Sequence, residues 1–298
     1  MIRFSKGYLQ AKKLLKKFKP DVVFTKGGYV TLPVGLAASR LHIPLIIHDS
    51  DAVLGMASRI LASRAQTIAT GFPAEAFNDF SQPNKLVFTG NPVRKELLTT
   101  SPSKAKTIFG FTDDKPIVFI FGGSQGAEAI NNLVFEGLEF LLRDYNVIHH
   151  TGPRAIEQAR VLAHKLPFKL SGSYRPYEFL QSEMTDALFL SSLVVIRASA
   201  SSIAEAAAHS KPTILIPNPI SANNHQQANA KFLEKIGAAR VIEQSQLSPI
   251  RLCAEIDKIL SNPKAKKYLQ DNIHEFWVPD SANRIASLII KTAKVEQQ

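Results

Sequence analysis

The chain predicts an α/β protein of two doubly wound, parallel-sheet domains, and three observations carry that prediction. Apolar, β-branched runs alternate with helical patterns almost to the C-terminus. The connections between them are short and punctuated by Gly and Pro. The length of 298 residues suits about two domains.

Taken in order, a basic amphipathic helix opens the chain. Strand-like runs then fall at 21–25, 44–48, 66–70 and 85–89, with helices at 32–41 and 58–63. The segment Gly90-Asn91-Pro92-Val93-Arg94 and the Ser/Thr/Lys stretch 99–106 read as a linker. Beyond it, strands are expected at 116–121, 145–149, 168–170, 193–196, 213–216 and 240–242. Helices are expected at 127–143, 155–165, 202–209 and 224–236. Asp280-Ser281 then caps a closing helix, 280–294, that carries Ile285, Leu288 and Ile289. The domains predicted are 1–95, with 280–294 packing back on it, and 96–279. The second has about six strands. The first looks short, because a doubly wound half normally opens with its own strand, glycine loop and helix.

Composition narrows the class. Hydrophobic content of 45% and charged content of 20% describe a globular chain with a full core. No apolar run reaches the roughly 18–20 residues of a spanning helix, and no signal-peptide pattern is present. One cysteine, Cys253, allows no internal disulfide, zinc site or redox pair, so a cytosolic protein is expected. The formal charge of +11 is concentrated near the start, where Arg3, Lys6, Lys12, Lys13, Lys16, Lys17 and Lys19 face one acid, Asp21. That segment also carries Ile2, Phe4, Tyr8, Leu9, Leu14, Leu15 and Phe18, a pattern that fits a membrane-surface helix or an ordinary lysine-rich face. No nucleic-acid module accompanies the charge.

The most informative run is Pro116 to Ala127, a buried-strand pattern followed by Gly122-Gly123-Ser124-Gln125-Gly126-Ala127. A helical face of Ala127, Ile130, Leu133, Val134 and Leu138 comes next. Backbone N–H groups and the positive end of a helix dipole then lie at a sheet's carboxyl edge, which suits a diphosphate. The pattern is neither GxxxxGK[ST] nor GxGxxG, so it favours neither an ATPase nor an NAD enzyme. His149-His150 lie on a strand and point to opposite faces, as core or rim residues. His48, ending another strand, reads as structural.

Several motifs in order resemble one family. They are Pro20-Asp21-Val22-Val23 leading to Lys26-Gly27-Gly28-Tyr29-Val30, Ile43-Pro44 leading to His48-Asp49-Ser50-Asp51, Gly90 to Arg94, Gly122 to Ala127, and His225-Gln226-Gln227-Ala228-Asn229-Ala230. Together they resemble the MurG family, which moves N-acetylglucosamine from UDP-N-acetylglucosamine onto lipid I in peptidoglycan synthesis. The resemblance covers nearly the whole chain. It implies the GT-B architecture, with the active site in the cleft between two domains, the donor mainly on the C-terminal one and the acceptor on the N-terminal one. It also implies a hexosyltransferase, peripheral on the cytoplasmic membrane face, with roles in cell shape and division.

The resemblance further implies the donor contacts. Ser124, Gln125 and neighbouring N–H groups hold the UDP phosphates, and Arg94 offers a charge-assisted donor to the same anion. Without the family, Arg94 reads equally as a salt bridge across the linker. The loop from Arg197 leads into Ala200, Ser201, Ser202, Ile203 and Ala204, which embrace the nucleotide, and Glu205 takes the ribose hydroxyls. A glutamate early in a helix is otherwise a routine dipole partner. Leu180 flanks the uracil, Gln226 reads sugar hydroxyls, and Asp51 lies beside them; Pro217-Asn218-Pro219 shapes the loop that brings Gln226 in. The implied reaction is an inverting displacement with UDP leaving, and donor binding needs no metal or other cofactor. Asp49-Ser50-Asp51 imitates the Asp-x-Asp metal motif of other glycosyltransferases. The anionic inner leaflet would meet Ile2, Phe4 and Tyr8 with Arg3, Lys6, Lys12 and Lys13.

Three departures stand out. The family's first glycine-rich loop, with its histidine, a candidate general base, has no match here, and roughly two to three strand–helix units are absent. A misassigned or truncated start, a separate polypeptide supplying the piece, or a nucleotide-sugar-binding module without turnover each accounts for that. Ser199 stands where the family usually has glycine, and Asp51 replaces the commoner asparagine. A UDP-N-acetylglucosamine 2-epimerase, which shares the fold, is a further option, but its acid/base groups cannot be assigned.

Overall fold

The computed structural model describes residues 2–123 and 125–295. The chain divides into two compact units, Met1–Pro92 with Val278–Gln298, and Val93–Trp277, against expected boundaries at 95/96 and 279/280.

The first unit comprises α1 (Ile2–Phe18), β1 (Val23–Thr25), α2 (Thr31–Arg40), β2 (Leu45–Asp49), α3 (Met56–Leu61), β3 (Thr67–Thr70) and β4 (Leu86–Phe88). Its strands form a parallel sheet in the order β1-β2-β3-β4, with no reversal of direction. Leu45, Ile46 and Ile47 are buried on both faces of β2, as expected of a strand covered on each side. Gly35 of α2 lies so close to Leu61 that a Cβ there would strike its side chain. The α2–α3 packing therefore depends on that glycine.

The second unit opens with α4 (Pro102–Phe109), β5 (Ile117–Phe121), α5 (Glu128–Glu136), α6 (Leu138–Asp144), β6 (Asn146–His150), α7 (Ile156–Lys165), α8 (Phe168–Ser171) and β7 (Tyr174–Tyr177). It continues with α9 (Glu183–Leu190), β8 (Leu193–Ile196), α10 (Ala200–Ala208), β9 (Thr213–Leu215), α11 (His225–Lys235), β10 (Arg240–Val241), α12 (Pro249–Leu260) and α13 (Pro263–Phe276). The six strands are parallel in the order β7-β6-β5-β8-β9-β10, the doubly wound order of nucleotide-binding sheets. Strand order reverses between β5 and β8, so a crevice is expected beyond their carboxyl ends. The last helix, α14 (Ser281–Val295), returns to the first unit, where the Ser281 hydroxyl donates to the Thr89 carbonyl at 2.7 Å.

Three sequence expectations are corrected. Residues 168–170 are helical, and the edge strand is β7, four residues later. Its Pro176 hid it from a sequence reading, yet proline is tolerated on an edge strand because no ladder N–H is required there. The helix expected over 127–143 breaks into α5 and α6 at Gly137, where Pro249 of α12 packs so closely that a Cβ would lie 2.7 Å from its ring. The stretch 99–106, read as linker, leads into α4, whose Ala105 and Phe109 are buried.

Candidate functional site

The turn after β5 is built on glycine geometry. Gly123 and Gly126 have φ of +89° and +74°, a region open to glycine. The Gly126 N–H closes the turn on the Gly123 carbonyl at 2.9 Å. A Cβ at Gly126 would run into the Thr151 carbonyl and one at Gly122 into Ala127, whereas one at Gly123 would meet open space. The loop is thus packed from below and bare above. Ala127 precedes α5 with no side-chain cap, so no side chain of that residue occupies the first N–H groups of the helix. Ser124 lies outside the described residues. Gln125 is exposed at the tip of the turn.

The turn after β8 forms the facing wall. Arg197 Nη1 donates to the Ile216 carbonyl at 3.1 Å and to Gln244 Oε1 at 2.9 Å. Ser199 Oγ caps α10 by accepting from the Ser202 N–H. Buried Asn229, on α11, donates to the Ala198 carbonyl at 3.0 Å and pins the turn from behind. Between the two turns opens a cavity of about 710 Å³, at the point where strand order reverses. Asn132, Asn218, Gln226 and Gln244 add amide groups to its wall. The Gln226 side-chain oxygen accepts from the Asn218 N–H at 2.9 Å, so the Pro217-Asn218-Pro219 loop holds that side chain.

The predicted residues separate into groups. Gln125 and Gln226 line the cavity; Arg94, Leu180 and Glu205 belong to the same unit without lining it. Leu180 is buried, as are Ala200, Ser202, Ile203 and Ala204 on α10, while Ser201 is exposed. Glu205 is half-buried, and desolvation lifts its carboxyl to about 7 although the charge of exposed Arg94 pulls it down. Asp51 lies in the first unit, half-buried, just past β2. Sequence reasoning missed Asn132, Gln244 and the side chain of Arg197. A cation directly after the four buried apolar residues of β8 was the available signal for Arg197; Asn132 and Gln244 sit in no recognisable motif.

The sheet edge is locked by neutral histidine chemistry. His149 is buried between the Tyr174 hydroxyl (2.9 Å) and Asn131 Oδ1 (3.1 Å), and Asn131 in turn donates to the Thr151 carbonyl at 2.8 Å. Burial pushes its pKa down to about 3. His150 instead packs edge-on against Phe179.

In the first unit, Lys26 Nζ donates to Ser50 Oγ at 2.8 Å and lies 3.5 Å from His48 Nδ1. His48 is buried with a pKa lowered to about 4, mainly by desolvation and then by Lys26, and its Nε2 faces the Gly90 carbonyl at 3.3 Å. Asp49 accepts from the Gly55 N–H at 2.8 Å, so this carboxylate holds its own loop. An apolar cavity of about 780 Å³ is lined by Phe4, Tyr29, Val30, Pro33, Met56 and Ile60 among others. Of the predicted membrane contacts, Phe4 and Lys13 are exposed, whereas Tyr8 and Lys12 are half-buried beside Ala11, on the side of α1 that packs against α2. The exposed apolar side chains of α1 are instead Phe4, Leu9, Leu14 and Phe18; the Ile2 side chain lies outside the described residues. Among the described residues no helix is long and apolar enough to cross a membrane, and no group of three or more His, Cys, Asp or Glu could hold a metal ion.

Two parallel α/β units, one in dinucleotide-fold order with an amide-rich crevice at its reversal point, have the architecture of nucleotide-binding α/β proteins. Comparison with known proteins is more specific. Residues 117–285 match the glycosyltransferase family 28 C-terminal domain and residues 1–70 its N-terminal domain. The UDP-N-acetylglucosamine--N-acetylmuramyl-(pentapeptide) pyrophosphoryl-undecaprenol N-acetylglucosamine transferase of Caldicellulosiruptor saccharolyticus is 36% identical over 96% of the chain and 77% of its own length. The enzymes of that name from Bacillus pumilus and Bacillus subtilis are 38% and 34% identical, over 97% and 99% of the chain and 78% and 80% of their own lengths. Acinetobacter baumannii MurG superposes with a TM-score of 0.78 at 28% identity, covering 97% of this chain and 79% of that one. The UDP-GlcNAc 2-epimerase from Neisseria meningitidis, solved with UDP-GlcNAc, superposes with a TM-score of 0.67 over 97% of this chain and 81% of that one, but at 15% identity it shares the fold alone. The chain belongs to the MurG family, within glycosyltransferase family 28.

Proposed function

We infer that the chain transfers N-acetylglucosamine from UDP-N-acetylglucosamine to the undecaprenyl-linked N-acetylmuramyl-pentapeptide (lipid I), forming lipid II of peptidoglycan. The observation that carries this is its 34–38% identity, over nearly its whole length, to transferases named for that reaction. The crevice in the second unit suits the donor: bare backbone at Gly123, a helix start without a side-chain cap, and amides around a cavity of about 710 Å³.

In this scheme the diphosphate sits at the turn before α5, with Ser124 and Gln125 beside it. Arg94 adds a charge-assisted donor, Glu205 accepts from the ribose hydroxyls, and Leu180 flanks the base. Gln226, on the crevice wall, reads the sugar. The acceptor hydroxyl displaces UDP with inversion at the anomeric carbon. Charge building on the leaving diphosphate is met by aligned N–H dipoles and guanidinium groups, which act most strongly where water is excluded, and no metal is called on. The protein works at the surface of an anionic membrane, where lysines of α1 supply attraction and Phe4, Leu9 and Leu14 supply apolar contact.

Transfer of labelled N-acetylglucosamine from the UDP donor to a lipid I analogue tests the proposal. Label in the lipid product supports it. Binding of UDP with no transfer, under conditions in which a relative is active, leaves a donor-binding module and overturns it.

A further inference from the structure

We propose that Arg197 grips the diphosphate of the donor inside the second-unit crevice, as a cation separate from Arg94; this rests on the donor assignment above. Arg197 is the first residue after β8, at the carboxyl edge where strand order reverses, and it lines the same cavity as Gly122, Gly123 and Gly126. Among the described residues around that cavity it is the one Lys or Arg. Asn132, Asn218, Gln226 and Gln244 are neutral and the exposed Glu128 of the same wall is acidic, so of these residues Arg197 is the one that can neutralise an anion.

The guanidinium is held ready. Its Nη1 is committed to the Ile216 carbonyl and Gln244 Oε1, both neutral acceptors on the far wall. Those two bonds fix the plane of the group. Of its five N–H donors, those on Nε and Nη2 have no partner among the described residues, and no carboxylate pairs with it there. Half-buried without a counter-charge, the group has its pKa pushed down by desolvation. A desolvated cation of this kind is costly until an anion is bound, and a planar fork suits two phosphate oxygens. Arg94, by contrast, is exposed, lies outside the cavity wall, and acts on Glu205.

The test titrates the full chain and its Arg197→Gln and Arg197→Lys variants with UDP, with inorganic pyrophosphate and with uridine. Arg197→Gln should weaken UDP and pyrophosphate by about tenfold or more, the usual result of losing a charged hydrogen bond, and leave uridine within about twofold. Arg197→Lys should lose less, and the gap should narrow as ionic strength falls. Equal losses for UDP and uridine would mean that Arg197 only ties its turn to Ile216 and Gln244, and would overturn the proposal. So would unchanged UDP affinity in a folded variant. If Arg197→Gln does not fold, the UDP-to-uridine ratio in Arg197→Lys decides. A parent chain that binds pyrophosphate through Arg197 yet transfers no sugar sinks the transferase assignment alone; one that binds neither UDP nor pyrophosphate sinks both.

Discussion

Glu205 shows how one largely buried carboxyl ties pH to stability. Its folded carboxyl titrates near 7 because burial penalises the charge more than Arg94 relieves it. Between the ordinary glutamate value and about 7 the folded chain therefore keeps a proton that the unfolded chain has released. Stability from this group falls as pH rises through that window, by on the order of 3 kcal/mol at about 1.4 kcal/mol per unit. Buried His48 and His149, with pKa values lowered to about 4 and about 3, act in the opposite sense up to the ordinary imidazole value, so their windows overlap that of Glu205. The difference between parent and Glu205→Gln in denaturant melts from pH 5 to 8 isolates the glutamate: the stability of the parent relative to the variant should fall as pH rises to about 7 and then level off. If ribose hydroxyls donate to this carboxylate, UDP binding lowers its pKa and expels a fraction of a proton near pH 6.5. Calorimetry in buffers of different ionisation enthalpy should detect that release, and Glu205→Gln should abolish it.

The elements that shape the crevice respond differently to single substitutions. Gly126→Ala combines a positive φ with a Cβ that meets the Thr151 carbonyl, so the turn before α5 must shift. A loss of about 2 kcal/mol or more in denaturant melts is expected, because strain and overpacking add. Gly123→Ala meets open space and suffers from φ alone, so its stability cost should be nearer 1 kcal/mol. Its effect should fall on UDP affinity, since the methyl group sits where phosphate oxygens are proposed to approach. On α11, Asn229→Leu removes the bond to the Ala198 carbonyl and leaves a buried acceptor unpaired, at a cost of about 1–3 kcal/mol. Strand and helix periodicity made most of these elements legible in advance. Two of the exceptions have tertiary causes: at β7 an edge position, and at Gly137 a neighbouring helix, override the local pattern.

At the scale of the molecule, a formal charge of +11 and the lysines of α1 predict selective association with anionic vesicles. Near a charged surface each basic residue contributes about 1 kcal/mol, so the triple change Lys13→Glu, Lys16→Glu, Lys17→Glu should weaken partitioning by more than about a hundredfold. Flotation with phosphatidylglycerol vesicles at low and high salt measures it; binding that ignores both the variant and the salt would count against an electrostatic contact.

The sequence by itself determined the parallel α/β class, the glycine turn after β5 and the family, because strand runs, helical periodicity and glycine spacing are local properties written in adjacent residues. Tertiary structure alone decided which side chains share the crevice. Arg197, Asn218 and Gln244 stand far apart along the chain and meet because the β5–β8 reversal and the β9 and β10 crossovers bring their loops to one edge. Tertiary packing also separated the exposed apolar residues of α1 from those turned toward α2, since burial depends on what lies opposite a helix and not on its own pattern.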